Sequence, residues 1–199
     1  MMPQPGGLDT NLLAQRLRRL VSLDATVFDE VRTDANATMP ASLVVGTASL
    51  LMGLGGWLWW FFGDYSSKGE FFVKSAIGGA VVSSAMWFVW VSITYVLLAQ
   101  VFRARADLRQ LIRVMGFATA PLGLSFLMCI HSLDFGIAVA VLALFFGTEQ
   151  IAVQSATDAD SGRVLVANGA GFALWAIILN LFAFSSSTWT PGVFIFAPR

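Results

Sequence analysis

The sequence predicts an all-α membrane protein, a bundle of five transmembrane helices preceded by an N-terminal amphipathic helix. Of its 199 residues, 57% are hydrophobic and only 12% charged, whereas a soluble domain carries roughly 25% charged residues. Mean hydropathy is +0.74. The apolar residues gather into long uncharged blocks, which is what a bilayer solvent requires of a spanning chain.

Three of these blocks, Ala41 to Gly63, Ser75 to Phe102 and Val164 to Phe184, are clear spans, since about 20 helical residues cross a hydrocarbon core of roughly 30 Å. The run Val114 to Ile130 has 17 uncharged residues, and Leu111 and Ile112 extend it past Arg113, whose long side chain can snorkel to the interface. The run Phe135 to Thr148 has 14. It continues as Ile151, Ala152 and Val153, so a span of ordinary length must carry Glu149 near one end. The chain therefore divides into an N-terminal cytoplasmic segment (1–40), a transmembrane domain (41–184) and a short non-cytoplasmic tail (185–199).

Basic residues near span ends set orientation. With the N-terminus inside, the inner segments hold Arg16, Arg18, Arg19, Arg32, Arg103, Arg105, Arg109, Arg113 and Arg163, and the outer ones Lys68, Lys74 and Arg199. Nine against three favours an N-terminus inside and a C-terminus outside. The Pro- and Gly-rich start and some thirty mostly polar residues after it are not a signal peptide, so the first span serves as the insertion signal. No lipidation motif is present.

Leu13, Leu17, Leu20, Val21, Val27, Phe28 and Val31 recur at helical spacing with charged residues between them, an amphipathic helix for the inner interface. Asp24 falls on the apolar stripe and fits better as the cap of a second short helix. Pro40 marks entry to the first span. Trp57, Trp59, Trp60 and Trp189 fall at outer span ends and read as interfacial anchors. Trp87, Trp90 and Trp175 fall near mid-membrane, where helix packing explains them better than a lipid or pigment contact. Small residues four apart, Ser49 with Gly53, Ser75 with Gly79, Gly79 with Ser83, Gly116 with Ala120, Ala143 with Gly147 and Ala167 with Gly171, favour close helix packing.

The candidates for chemistry are few. Zero net charge gives nucleic acid no basic surface to bind, and Cys129, the only cysteine, allows neither an intrachain disulfide nor a multi-cysteine metal site. His131, the only histidine, could ligate a metal or a chlorin magnesium or shuttle protons. With Asp134 as its only supplement, an interfacial residue without a special role is the simpler reading. Glu149 is the sharper case, because a carboxyl at membrane depth needs a partner or a task. Counted from Leu133 it lies about 24 Å along its helix, near the same face as Arg113 and Arg163, and a structural ion pair or hydrogen-bonded cluster with either, with Asn168 alongside, is expected. A proton or ion pathway through Glu149 and Asn180 is the alternative. There is no Walker loop, zincin helix or nucleophile elbow, so no catalytic residues and no resident metal or cofactor are expected, bound lipid or pigment aside.

Three stretches together resemble the bacterial branch of the Yip1 domain family. The first is Asp24 to Thr38 leading into Val44 to Leu50 and the Gly53-Leu-Gly55 turn. The second is Leu111 to Pro121, with the glycine-then-proline pattern of Gly116 and Pro121. The third is Glu149-Gln-Ile-Ala followed by Ser161-Gly-Arg163-Val-Leu. The resemblance implies a five-span bundle with a cytoplasmic N-terminus. It does not extend to the Rab GTPase partners of eukaryotic relatives, since the DLYGP motif is absent. The expected function is non-catalytic: an accessory or scaffold subunit of a larger membrane complex, respiratory or photosynthetic, or a protein that organises lipid. Its expected partners are membrane lipids and other integral membrane subunits. A small transporter or channel using Glu149 is the alternative.

Overall fold

The computed structural model describes residues 9–22, 24–63, 68–184 and Gly192. Five helical segments are long and apolar enough to cross a membrane: Ala35–Phe62, Gly69–Val101, Leu108–Cys129, Asp134–Ser155 and Ser161–Ala183. Among the described residues the extended pairing is a single isolated bridge between Ala106 and Thr157. The expectation for Trp189 and the 185–199 tail lies outside the described residues, except that Gly192, at φ +48°, is buried against Met52.

Successive spans reverse direction. Two short helices, α1 (Thr10–Val21) and α2 (Thr26–Thr33), fold over the end where the first span begins, here the capped end. Asp9 starts α1 by accepting the backbone N–H groups of Asn11 and Leu12 at 3.0 and 3.1 Å. Asp24 accepts from the Thr26 N–H at 3.0 Å and sets the second helix going. Val27, Phe28 and Val31 of α2 are buried against the bundle, so the amphipathic pattern serves two helices with a break at Asp24.

The first span, α3 (Thr38–Phe62), is the central post. A Cβ at Gly53 would lie 2.9 Å from the Cα of Ala76, and one at Gly55 2.7 Å from the Cα of Phe126. Two other spans therefore meet α3 backbone to backbone, the mode of packing that replaces hydrophobic drive in lipid. The Ser75 hydroxyl donates to the Gly53 carbonyl at 3.1 Å across one of these contacts, and Ser49 and Ser83 meet at 3.5 Å. A Cβ at Gly116 would likewise lie 2.7 Å from the Cβ of Ala41. Ala143 and Gly147 are the exception: Ala143 is exposed and Gly147 faces open space, so that pair makes no helix contact.

The second span runs from α4 (Lys68–Phe71) through a π-helical segment, Phe72–Gly78, into α5 (Gly79–Val96) and a second π segment, Leu97–Val101. The third span changes helix type halfway. After α6 (Leu108–Ala118) the chain tightens at Thr119 and Pro121 into a 3₁₀ stretch, Ala120–Cys129. The α half covers about 16 Å at 1.5 Å per residue, and the 3₁₀ half about 20 Å at 2.0 Å per residue. A run that looks short by residue count is thereby long enough to span. The fourth and fifth spans are α7 (Asp134–Ser155) and α8 (Ser161–Phe184).

Trp87, Trp90 and Trp175 are all at most 1% exposed. Trp90, Trp175, Phe145 and Phe172 form one aromatic cluster with centroids 5.2 to 6.5 Å apart, binding α5, α7 and α8. These tryptophans pack helices and do not reach lipid. Gly171 makes the room, since a Cβ there would run into the Trp90 ring.

Replacing Gly53 by Ala forces α3 away from residues 75–76 and should cost about 1–3 kcal/mol, the usual penalty for overpacking. Gly46→Ala, where no atom lies within 4 Å, should be neutral or mildly stabilising because alanine favours helix. Thermal unfolding in detergent separates the two; equal shifts would remove the close-approach argument.

Candidate functional site at the capped end and in the bundle core

Arginines organise the capped end. Arg16 lies within the apolar stripe of α1 and is 4% exposed, its guanidinium 6.0 Å from the Phe117 ring centroid. It can sit there because it donates to Glu30 Oε1 and Asp34 Oδ2, both at 2.8 Å. Arg19 adds Asp24 Oδ2 at 2.8 Å and Glu30 Oε2 at 2.7 Å. Together they clamp α1 onto α2.

Arg32 and Arg113 carry the clamp to the spans by a different chemistry. The last carbonyls of a helix have no intrahelical donor, and cationic side chains can satisfy them. Arg32 donates to the Ser155 carbonyl at the end of α7 at 2.9 Å. Arg113 donates to the Arg32 carbonyl at the end of α2 at 3.1 Å and to the Thr38 hydroxyl at 2.9 Å. Arg163 pairs with Asp160 at 2.9 Å and is exposed.

Glu149 has neither arginine for a partner. It is fully buried in α7, and the hydrogen-bond partner of its Oε1 is the Thr119 hydroxyl, 3.2 Å away. The same hydroxyl reaches the Met115 carbonyl at 2.9 Å. With one proton to give and two lone pairs, this hydroxyl stands between the Met115 carbonyl and the Glu149 carboxyl. Trp87 neighbours the carboxyl, yet neither Trp87 Nε1 nor Glu149 Oε2 has a hydrogen-bond partner among the described residues. The expected Glu149 cluster thus gives way to a different one, because α7 aims the carboxyl inward between α5 and α6 while Arg113 and Arg163 are committed at the rim.

Asn168 is also buried but belongs to a separate chain of groups. Its Oδ1 accepts the Trp90 indole N–H at 2.9 Å, and its amide donates to Gln150 Oε1 at 3.2 Å. Gln150 in turn lines a cleft of about 470 Å³ with Thr26, Asp29 and Gln154 at the capped end. Asn180 Oδ1 and Thr94 Oγ1 are buried without a hydrogen-bond partner among the described residues.

At the opposite end, Trp59 differs from an interfacial anchor. It is 5% exposed, donates its indole N–H to Asp134 Oδ2 at 2.8 Å and stacks on His131 at 4.8 Å. Trp60 stacks on Phe71 at 4.3 Å, and Trp57 meets Phe72 edge-on at 5.0 Å. His131 is exposed. Among the described residues no three His, Cys, Asp or Glu side chains converge as metal ligands would.

The 102–107 and 156–160 connections are joined at the capped end by the Ala106–Thr157 bridge and by the Arg105 N–H donating to Asp158 Oδ1 at 2.7 Å. Arg103 adopts φ +54°, a left-handed turn uncommon outside glycine. Between the two connections lies a cleft of about 540 Å³ lined by Arg32, Arg105, Asp107, Gln110 and Asp158.

The clamp carboxylates lie outside the spans and are held below their ordinary range. The Thr26 hydroxyl, then Arg19, brings Asp24 down to about 2. The Arg16 hydrogen bond, opposed by burial and helped by Arg19, lowers Glu30. Burial works to raise Asp34, but Arg16 and the Asn36 N–H outweigh it. Groups depressed in the docked state stabilise docking above their ordinary values, 3.8 for Asp and 4.5 for Glu, and lose that contribution as pH falls through the docked values. Acidification from neutral to about 2 should therefore lower the protection of the α1 amides, taken relative to their intrinsic exchange rate at each pH, while α3 and α8 stay protected; α1 protection unchanged by pH would show that the ion pairs do not hold the cap. At neutral pH, Arg16→Ala should loosen α1 by about 1–3 kcal/mol, less than a fully buried pair because its partners are partly exposed.

Comparisons of the chain with known protein families, with curated proteins and with solved structures find no match.

Proposed function

We propose that the chain is a non-catalytic membrane protein that works by binding, as an accessory or scaffold subunit of a larger membrane assembly. The observation that carries this reading is the cleft between the two fastened connections. A preformed concave surface of mixed charge suits recognition of a polar protein surface, where complementary charge fixes partner and register. Arg105, Asp107 and Asp158 are exposed there. Respiratory and photosynthetic complexes are assemblies that such a subunit would suit.

The loop-charge asymmetry and the resemblance to bacterial Yip1 domain proteins both support placing the capped end on the cytoplasmic side of a bacterial membrane, with the C-terminus outside. Gentle detergent extraction followed by native mass analysis tests the subunit reading. Wild-type chain should carry a protein partner that is lost when Thr157→Trp fills the cleft. A lone monomer, or a partner retained undiminished by the variant, would defeat it.

A small transporter or channel using Glu149 is the second reading, favoured by an Oε2 inside a span that has no hydrogen-bond partner among the described residues. It ranks second because Glu149 lines none of the three described clefts. Flux driven by a pH gradient in proteoliposomes decides between them: the leading reading expects no flux above that of empty vesicles, and flux abolished by Glu149→Gln would install the second.

A further inference from the structure

We infer that the groove beneath α1 is a retained-lipid site that takes one acyl chain of a phospholipid. The inference goes beyond the subunit reading and does not depend on it; it requires only that the five spans lie in a bilayer.

The groove has a volume of about 330 Å³. Leu13 and Leu17 of α1 roof it, Leu43 and Leu51 of α3 wall it, and Ala48 and Gly123 lie at its floor, with no charged side chain in the lining. Small residues make the floor concave where α3 meets the 3₁₀ half of the third span. From Leu43 to Leu51 it follows α3 for about 12 Å, starting one to two turns inside the span. That depth is hydrocarbon, and the one polar side chain in the lining, Thr47, falls short of the roughly two to four partners a buried water needs.

The roof distinguishes this groove from an ordinary lipid-facing surface. α1 is strongly two-sided, yet it is fastened chiefly through the ion pairs of Arg16 and Arg19 to α2. Leu13 and Leu17 are partly buried and touch the core, yet a space of about 330 Å³ remains between them and α3. That space leaves apolar walls without contact partners, which an apolar filler of matching shape would supply. In a bilayer the abundant filler of that shape is an acyl chain. Lipid that enters beneath the roof exchanges more slowly than lipid on the open faces of α7 and α8, where Val139, Leu165 and Ile177 are exposed.

The test uses the full chain in phosphatidylcholine vesicles doped with phosphatidylcholine bearing a diazirine midway along one acyl chain. After washing with unlabelled vesicles and then illumination, adducts should concentrate on peptides containing Leu13 to Leu17 and Leu43 to Leu51. Adducts spread evenly over α7 and α8 as well would overturn the inference, and that measurement needs no variant. Gly123→Leu fills the groove: a Cβ there already comes within 3.2 Å of Leu51 Cδ1, the movable end of a side chain. It should lower groove labelling to the level found on α7 and α8, because the side chain then occupies the space the acyl chain would fill. Arg16→Ala, which frees the roof, should lower it as well. Undiminished labelling in a folded Gly123→Leu protein would show that the groove is not the site.

Discussion

How near another backbone can come to α3 decides the shape of this protein. Lipid tails are as apolar as the side chains they touch, so burial alone gives spans no reason to associate. What remains is dispersion, which depends steeply on distance, and hydrogen bonding across the contact. Gly53 and Gly55 present two faces of one helix, and the second and third spans each bring backbone against one of them. The fourth and fifth spans build outward from this unit through the Trp90 cluster. The capped end, the clefts and the acyl groove all lie on a frame set by those contacts.

Above that frame the chain uses polar chemistry sparingly and at defined depths. The arginines gather at the capped end, where they join carboxylates and free helix-end carbonyls. Glu149 is the exception, a carboxyl within a span with a shared hydroxyl for company. The bundle keeps this group against the cost of burying it, with Thr119 and Trp87 beside the carboxyl.

The sequence made the number of spans legible, because uninterrupted apolar length is a local property. Helical phase also carried more than burial counts suggest. Trp59 continues the face of Ala48, Met52 and Gly55, and Glu149 that of Val141 and Phe145, so both point inward on spacing alone. Arg16 read in the sequence as one of the charged residues between Leu13, Leu17 and Leu20, and its burial follows from the carboxylates of Glu30 and Asp34. The partners were not legible. Thr119 lies 30 positions from Glu149 and Asp134 lies 75 from Trp59, separations fixed by tertiary packing. Reading Arg113 and Arg163 as partners for Glu149 used depth in the membrane and ignored azimuth around the bundle. The bridge between Ala106 and Thr157 left no trace either, since it joins two irregular segments through backbone groups that every residue possesses.

The change of helix type at Pro121 bears on which bilayers suit the chain. An α-helix of the same ten residues would be about 5 Å shorter than the 3₁₀ stretch Ala120–Cys129. Membranes sort proteins by hydrocarbon thickness through costs of fractions of a kcal/mol per Å, so that difference is enough to shift a preference. Written with few residues and stretched in pitch, the third span is matched to a thicker bilayer than its uncharged length would suggest.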